Sequence, residues 1–205
     1  SNITKIAGYG DDDRDIKKVS GGFFDGKNIY IVDEEQCKVK VFDSSGFKNA
    51  FGGKVDFLGR EKEGKFSKPV SVVLDLDEKV YVLDAKLLKV DVFNMDGIFL
   101  YSYPLFSDKT SAKPSSMIFL KGKIYILFDR FIRVYSVDGR FEKNIDLKDV
   151  ENAVSFDSDE YGYIYILDQK SSRVYVLNTV SEKIVGSFFG KGKGVREFLE
   201  PSVLK

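Results

Sequence analysis

Lys79-Val80-Tyr81-Val82-Leu83-Asp84, with Val90-Asp91-Val92-Phe93 after it, decides the fold. Both stretches are short, β-branched and aromatic, which is strand chemistry. The first recurs three times, as Asn28-Ile29-Tyr30-Ile31-Val32-Asp33, Lys123-Ile124-Tyr125-Ile126-Leu127-Phe128-Asp129 and Tyr163-Ile164-Tyr165-Ile166-Leu167-Asp168. Its tyrosines fall at 30, 81, 125 and 165, so the repeats are 51, 44 and 40 residues apart. The second recurs as Val39-Lys40-Val41-Phe42, Ile132-Arg133-Val134-Tyr135 and Val174-Tyr175-Val176-Leu177. From tyrosine to closing residue is 12 positions in three repeats and 10 in the third, whose inner loop is therefore two residues shorter.

Turn residues follow the second stretch: Asp43-Ser44-Ser45-Gly46, Asn94-Met95-Asp96-Gly97 and Ser136-Val137-Asp138-Gly139. Asp bonds the local backbone there and Gly accepts positive φ, which suits a hairpin. A further strand follows each turn (Ile98 to Tyr103, Lys183 to Phe188) and another precedes each tyrosine (Val70 to Asp75, Ser115 to Leu120). The unit is four antiparallel strands in roughly 40–50 residues, the mark of a β-propeller blade. No stretch carries an apolar stripe at helical spacing. The chain is read as all-β, one propeller domain or segment over 1–205, with blades near 20–53, 69–103, 114–145 and 150–189. Partial blades are expected at 3–8 and 201–205. Most of the 18 Phe and 11 Tyr are expected between blades.

Composition narrows the chemistry. Thirty-two basic and 32 acidic residues cancel among 205, so a strong electrostatic hold on nucleic acid or anionic lipid is not expected. There is no histidine, which removes Ser-His-Asp and Cys-His catalysis and histidine-bound zinc. A lone cysteine, Cys37, forms no intrachain disulfide and no metal cluster. It fits a cytoplasm or a bacterial periplasm, and the reading leans to the periplasmic or extracellular side. Apolar runs such as Ile124 to Phe128 are far short of the roughly 20 residues of a membrane helix. The N-terminus has neither the basic start nor the apolar stretch of a signal peptide, and lacks Met.

The second repeat also resembles the NHL family of propellers, through Gly59, Gly64, Phe66, Pro69, Val72, Asp75, Val80, Tyr81, Val82, Asp84, Val90, Val92, Phe93 and Gly97 in that order. The fourth keeps Asp157, Gly162, Ile164, Tyr165, Asp168, Arg173, Val174 and Val176, and Gly190 to Pro201 looks like a loop opening a further blade. One departure is Leu87 or Leu88, where the family usually has a polar residue. NHL-like propellers commonly have six blades, and this chain is too short for six at its own repeat length. The resemblance therefore implies part of a six-bladed parent chain, or an open or small ring. An open ring exposes blade faces and strand edges, which favours association.

Several features invite a chemical reading. Asp33, Asp84, Asp129 and Asp168 recur at one place in the repeat. Asp at the end of a strand can accept loop N–H groups, and residues spread over four blades cannot share one ion, so they are read as structural. Asp75-Leu76-Asp77-Glu78 and Asp157 to Gly162 lack the ligand run and closing Glu of a calcium loop. Gly190, Gly192 and Gly194 lack the third glycine and the helix of a dinucleotide fingerprint. Arg60, Lys62, Lys65 and Lys68 are interrupted by Glu61 and Glu63, as in a solvated loop, and Asp11, Asp12, Asp13 and Asp15 form a small acidic patch.

The expected function is a non-catalytic scaffold that binds a protein partner, or another copy, through loops between blades and between second and third strands. The candidate binding residues are Arg60, Lys86, Leu87, Leu88, Arg130, Phe131, Gln169 and Lys170. Neither a catalytic residue, a metal site nor a cofactor is assigned. The resemblance leaves two alternatives: a calcium-dependent lactonase-like hydrolase of the six-bladed type, whose ligand constellation has no match here, and an RNA-binding NHL module, which the neutral charge disfavours.

Overall fold

The repeated tyrosine stretches are second strands of four antiparallel four-stranded sheets. The computed structural model describes residues 6–56, 58, 62–106 and 112–190; among them are sixteen strands and no helix. Blade 1 is β1 (Val19–Phe24), β2 (Ile29–Asp33), β3 (Lys38–Asp43) and β4 (Gly46–Gly52). Blade 2 is β5 (Pro69–Leu74), β6 (Val80–Asp84), β7 (Lys89–Phe93) and β8 (Phe99–Pro104). Blade 3 is β9 (Ser116–Leu120), β10 (Lys123–Leu127), β11 (Phe131–Ser136) and β12 (Phe141–Asp146). Blade 4 is β13 (Ala153–Ser158), β14 (Tyr163–Asp168), β15 (Arg173–Asn178) and β16 (Lys183–Phe188). Each sheet keeps chain order, strand to neighbouring strand. This is a four-bladed β-propeller fold. Among the described residues no helix is long and apolar enough to cross a membrane.

The chain divides into two compact units, Ser1–Leu105 and Phe106–Lys205. In the first, Tyr30, Val32, Val39, Val41 and Phe51 of blade 1 pack against Val72, Leu74, Val80, Val82 and Phe93 of blade 2. Phe93 anchors this core, with ring centroids 4.8 Å from Phe51, 5.9 Å from Phe99 and 6.0 Å from Phe66. In the second, Tyr125, Leu127, Ile132, Val134 and Ile145 of blade 3 meet Phe156, Ile164, Ile166 and Leu177 of blade 4. Each such side chain contributes about 1.5–3 kcal/mol when fully buried.

Burial is two-sided only in the middle of a blade. Every residue of β6 and β7 is buried, whereas the outer strand β8 alternates and β16 is mostly exposed. Pro69 opens β5, where its missing N–H interrupts nothing. Of the expected partial blades, residues 1–5 and 201–205 lie outside the described residues. The described part of the first makes only an isolated parallel bridge, Gly8 to Asp15, in place of a strand.

Short polar residues close the turns as expected. Asp43 accepts the Ser45 N–H at 2.7 Å, Asn94 those of Asp96 and Ile98 at 3.0 and 2.9 Å, and Asn178 those of Val180 and Ser181 at 3.0 and 2.9 Å. The two calcium-like stretches are hairpin turns with an Asp–Tyr clasp. Asp75 accepts the N–H groups of Asp77 and Lys79 and the Tyr81 hydroxyl at 2.8 Å. Its counterpart is Asp159, not Asp157: Asp159 takes three turn N–H groups and the Tyr165 hydroxyl at 3.0 Å.

Gly97 shows where one blade limits the next. Its φ is +77°, and a Cβ there would lie 2.6 Å from the Phe51 ring of blade 1. Gly26 has φ +96° but open space around it. Gly97→Ala is expected to lower stability in urea by about 2–4 kcal/mol, overpacking added to backbone strain, against about 1–2 kcal/mol for Gly26→Ala. Equal losses would show that Phe51 yields without cost.

Candidate functional site

The turns between second and third strands project from one end of each blade and carry most of the candidate residues. Three are built alike. The last residue of β2, β6 or β14 is a fully buried Asp, and four residues separate it from the third strand. Asp33 accepts N–H groups from Lys17 at 2.8 Å, Lys18 at 3.3 Å and Gln36 at 3.1 Å. Asp84 takes those of Ser67, Lys68, Lys86 and Leu87 at 2.6–3.1 Å. Asp168 takes those of Glu151, Asn152, Lys170 and Ser171 at 2.9–3.4 Å. One carboxylate thus closes the turn and ties down the segment entering its own blade. The turn ends on a left-handed residue in each: Cys37 (φ 55°), Leu88 (φ 51°) and Ser172 (φ 55°).

These bonds set the charge state. Burial pushes the Asp33 carboxyl up, but the N–H groups of Lys17, Gln36 and Lys18 and the Lys40 ammonium outweigh it, so its pKa lies below the ordinary value. Asp168 is likewise raised by burial and, on balance, lowered by its donors on Glu151, Ser171 and Lys170. The carboxylates are occupied by backbone, one to a blade. Among the described residues no group of three or more Cys, Asp and Glu is placed to hold a metal ion.

Blade 3 departs from this plan, and Asp129 does not occupy the position read for it. Phe128 stands in the register of Asp33, Asp84 and Asp168, and Asp129 is exposed one residue on. The cause is the shortened loop. With two residues between Phe128 and Phe131, the hairpin closes on a Phe128 N–H to Phe131 carbonyl bond of 2.9 Å, leaving no row of N–H donors for a carboxylate. Phe128 stacks on Phe131 with centroids 4.5 Å apart, and the Arg133 guanidinium lies 4.7 and 5.1 Å from the two rings and 5.6 Å from Phe106.

Of the candidate residues, Lys86, Leu88, Arg130, Gln169 and Lys170 are exposed at turn tips, and Leu87 is half-buried. Phe131 is half-buried against its own blade. Arg60 lies outside the described residues, as do Gly192 and Gly194. Lys65 donates to the Gly52 carbonyl at 3.2 Å. The acidic patch is largely paired, Asp11 with Lys17 at 2.5 Å and Asp13 with Lys38 at 2.6 Å. Cys37 is buried, and desolvation raises its thiol pKa.

A second set of residues was visible in the sequence but not singled out. The second place of each Val-x-Val stretch holds Lys40, Asp91, Arg133 or Tyr175, and the first three are buried. Lys40 sits 3.5 Å from Asp33 and donates to the carbonyls of Asp12, at 3.2 Å, and Asp15. Arg133 donates to the Phe106 carbonyl. Asp91 instead holds Lys89 at 2.6 Å, and Lys89 donates to the Lys62 carbonyl. Burial raises the Asp91 carboxyl despite Lys89 and Ser102. In three blades a buried cation therefore fastens the segment that leads into that blade.

No protein-family model matches the chain, and no curated protein matches it either. Solved structures do. Hydrazine synthase of Kuenenia stuttgartiensis matches at 13% identity and TM-score 0.62, over 84% of this chain and 49% of that one. Virginiamycin B lyase from Staphylococcus aureus matches at 14% and 0.61, over 86% and 56%. U3-55K matches at 14% and 0.66, over 85% and 53%. The shared feature is the β-propeller. The chain spans about half the length of these structures, and at such identity the likeness reaches the fold alone.

The Asp33 and Asp168 pKa values predict an acid-sensitive fold. Because folding lowers both, the stabilisation is complete well above the unfolded value near 3.8 and is lost as pH falls through the folded values. Asp33→Asn and Asp168→Asn are each expected to remove about 1–3 kcal/mol at pH 7 and to flatten the fall in stability below about pH 5. Urea denaturation from neutral pH to pH 3 reads both; an unchanged acid slope refutes the assignment.

Proposed function

We propose that this chain is an NHL-type propeller serving as a non-catalytic protein-binding scaffold, with the second-to-third strand turns as its recognition elements. The observation that carries the reading is a division within those turns. In blades 2 and 4 the turn backbone is tied internally by Asp84 and Asp168, while the side chains of Lys86, Leu88, Gln169 and Lys170 are exposed, as is that of Arg130 on the shorter turn of blade 3. A rigid backbone presenting one apolar and several long polar side chains suits a protein surface, because little order is lost on binding. Zero net charge supports a protein partner over a polyanion. The structural neighbours range from a lyase to U3-55K, so the fold itself favours no one activity.

The test begins by placing a photo-crosslinking residue at Lys86, identifying what it captures and purifying that partner. Lys86→Glu combined with Leu88→Asp is expected to weaken binding at least tenfold, about 1.4 kcal/mol or more. Asp tolerates the left-handed conformation at 88, so the turn should persist. Leu76→Asp, at the opposite end of blade 2, is expected to change affinity less than twofold. Unchanged binding in the double variant, or calcium-dependent lactone hydrolysis by the purified chain, overturns the proposal.

A further inference from the structure

The segment entering blade 2 and the turn closed by Asp84 carry the same sign of charge. Lys68 and Lys86 are tied to that one carboxylate through their backbone N–H groups, at 3.1 and 2.8 Å. Ala85 also donates to the Lys68 carbonyl at 2.9 Å. Lys54 bridges to Phe66, close by in the same segment. Lys65 donates its N–H to the Lys62 carbonyl and its ammonium to the Gly52 carbonyl, both at 3.2 Å. Buried Lys89 fastens the Lys62 carbonyl as well. Folding thus gathers Lys54, Lys62, Lys65, Lys68 and Lys86 at one end of one blade, on backbone that is held in place. All lie within the first compact unit. Lys65 is half-buried and the other four are exposed.

Among the described residues none of these lysines is paired with a carboxylate. The same end of blade 1 is built differently: Lys17 pairs with Asp11, Lys18 with Glu34 at 3.0 Å and Lys38 with Asp13. In the described part of the blade 2 patch the exposed acids are Asp56 and Glu63, and buried Asp84 is spent on backbone N–H groups. A neutral chain therefore keeps a local excess of positive charge here. We propose that this surface, with Leu87 and Leu88 of the adjoining turn, binds an acidic segment of a partner protein, in which Asp or Glu is interspersed with apolar side chains. The inference rests on the turn reading above for the kind of partner and adds its charge. Ammonium groups complement carboxylates, and Leu88, 36% exposed, complements an apolar side chain. A nucleic acid fits less well. The one aromatic ring in the described part of the patch, Phe66, is fully buried, which leaves no platform for a base. Asp56 and Glu63 also repel a continuous run of phosphates, whereas carboxylates spaced along a peptide can avoid them.

Selection of a random peptide library on the immobilised chain tests this. Enrichment of peptides that carry Asp or Glu among Leu, Ile or Phe is expected. Fluorescence anisotropy with the selected peptides should show affinity that falls as salt rises. Lys62→Glu with Lys68→Glu should weaken them at least tenfold, with far-UV circular dichroism and melting temperature confirming the fold. Neither side chain makes a hydrogen bond within the described residues, so the backbone that carries them should persist. Lys148→Glu, an exposed lysine of the other unit, should change affinity less than twofold. Enrichment of peptides without acidic residues, or tighter binding of oligouridylate than of the selected peptides, overturns the inference. Peptides weakened by Lys86→Glu with Leu88→Asp but not by the Lys62 and Lys68 changes overturn it and leave the turn reading standing. Peptides that neither variant weakens overturn both.

Discussion

The structure depends on sheets whose middle strands are apolar on both sides. β6 and β7 have no exposed residue, so blade 2 can be stable only with a cover on each face. Within each unit the cover is another blade, presenting strands of the same make-up in the same register. The outer strands escape the demand. β8 alternates and β16 is mostly exposed, because at the rim the blades diverge and water returns. Two-sided burial also explains the aromatic content. Phe51, Phe93 and Phe99 bridge a gap that smaller side chains would leave partly empty, at the cost of forbidding a side chain at Gly97.

Stacked sheets still leave connecting segments whose backbone must be satisfied, and two devices meet that need. At the turn end, one carboxylate accepts from its own turn and from the segment before the first strand. Charge-assisted bonds of this kind are stronger than neutral ones, and at Asp33 and Asp168 they outweigh burial and hold the carboxyl below its ordinary pKa. On the face of the blade, Lys40, Lys89 and Arg133 donate to carbonyls of the same entering segments. Blade 3 lacks the first device because its turn is two residues shorter. The position turns apolar, and Phe128 stacks on Phe131 beside the Arg133 guanidinium. Loop length and cap identity change together, since a carboxylate without donors would be a buried unpaired charge.

The periodic signal made the blades legible: four tyrosine stretches, four partner strands and polar turns could be placed from β-propensity and spacing. What misled was register at single-residue scale. The deletion in the third inner loop was countable, but its consequence was not, and Asp129 looked equivalent to Asp84 because Phe128 reads as one more core aromatic. Asp157 looked equivalent to Asp75 for the same reason, whereas the hydroxyl of Tyr165 reaches Asp159. Lys40, Asp91 and Arg133 were plain in the sequence, yet alternation in a strand assigns such residues to solvent. Lys40 and Arg133 are instead capped by the chain segment that crosses that face, and Asp91 by Lys89. The exposed turn residues were found from position in the repeat alone, because turn tips follow from topology.

These constraints divide the molecule by its tolerance of change. Positions on blade faces answer to a neighbour, as Gly97 answers to Phe51, and substitutions there act on stability before anything else. In blades 1, 2 and 4 the turn backbones are held by buried carboxylates and a left-handed closing residue, and their exposed side chains touch at most the entering segment, as Lys170 does at Glu151. Side chains at 86, 88, 169 and 170 can therefore vary while the positions from which they project stay fixed. On the proposed reading, recognition at these turns is decided by side-chain identity, with little contribution from loop rearrangement.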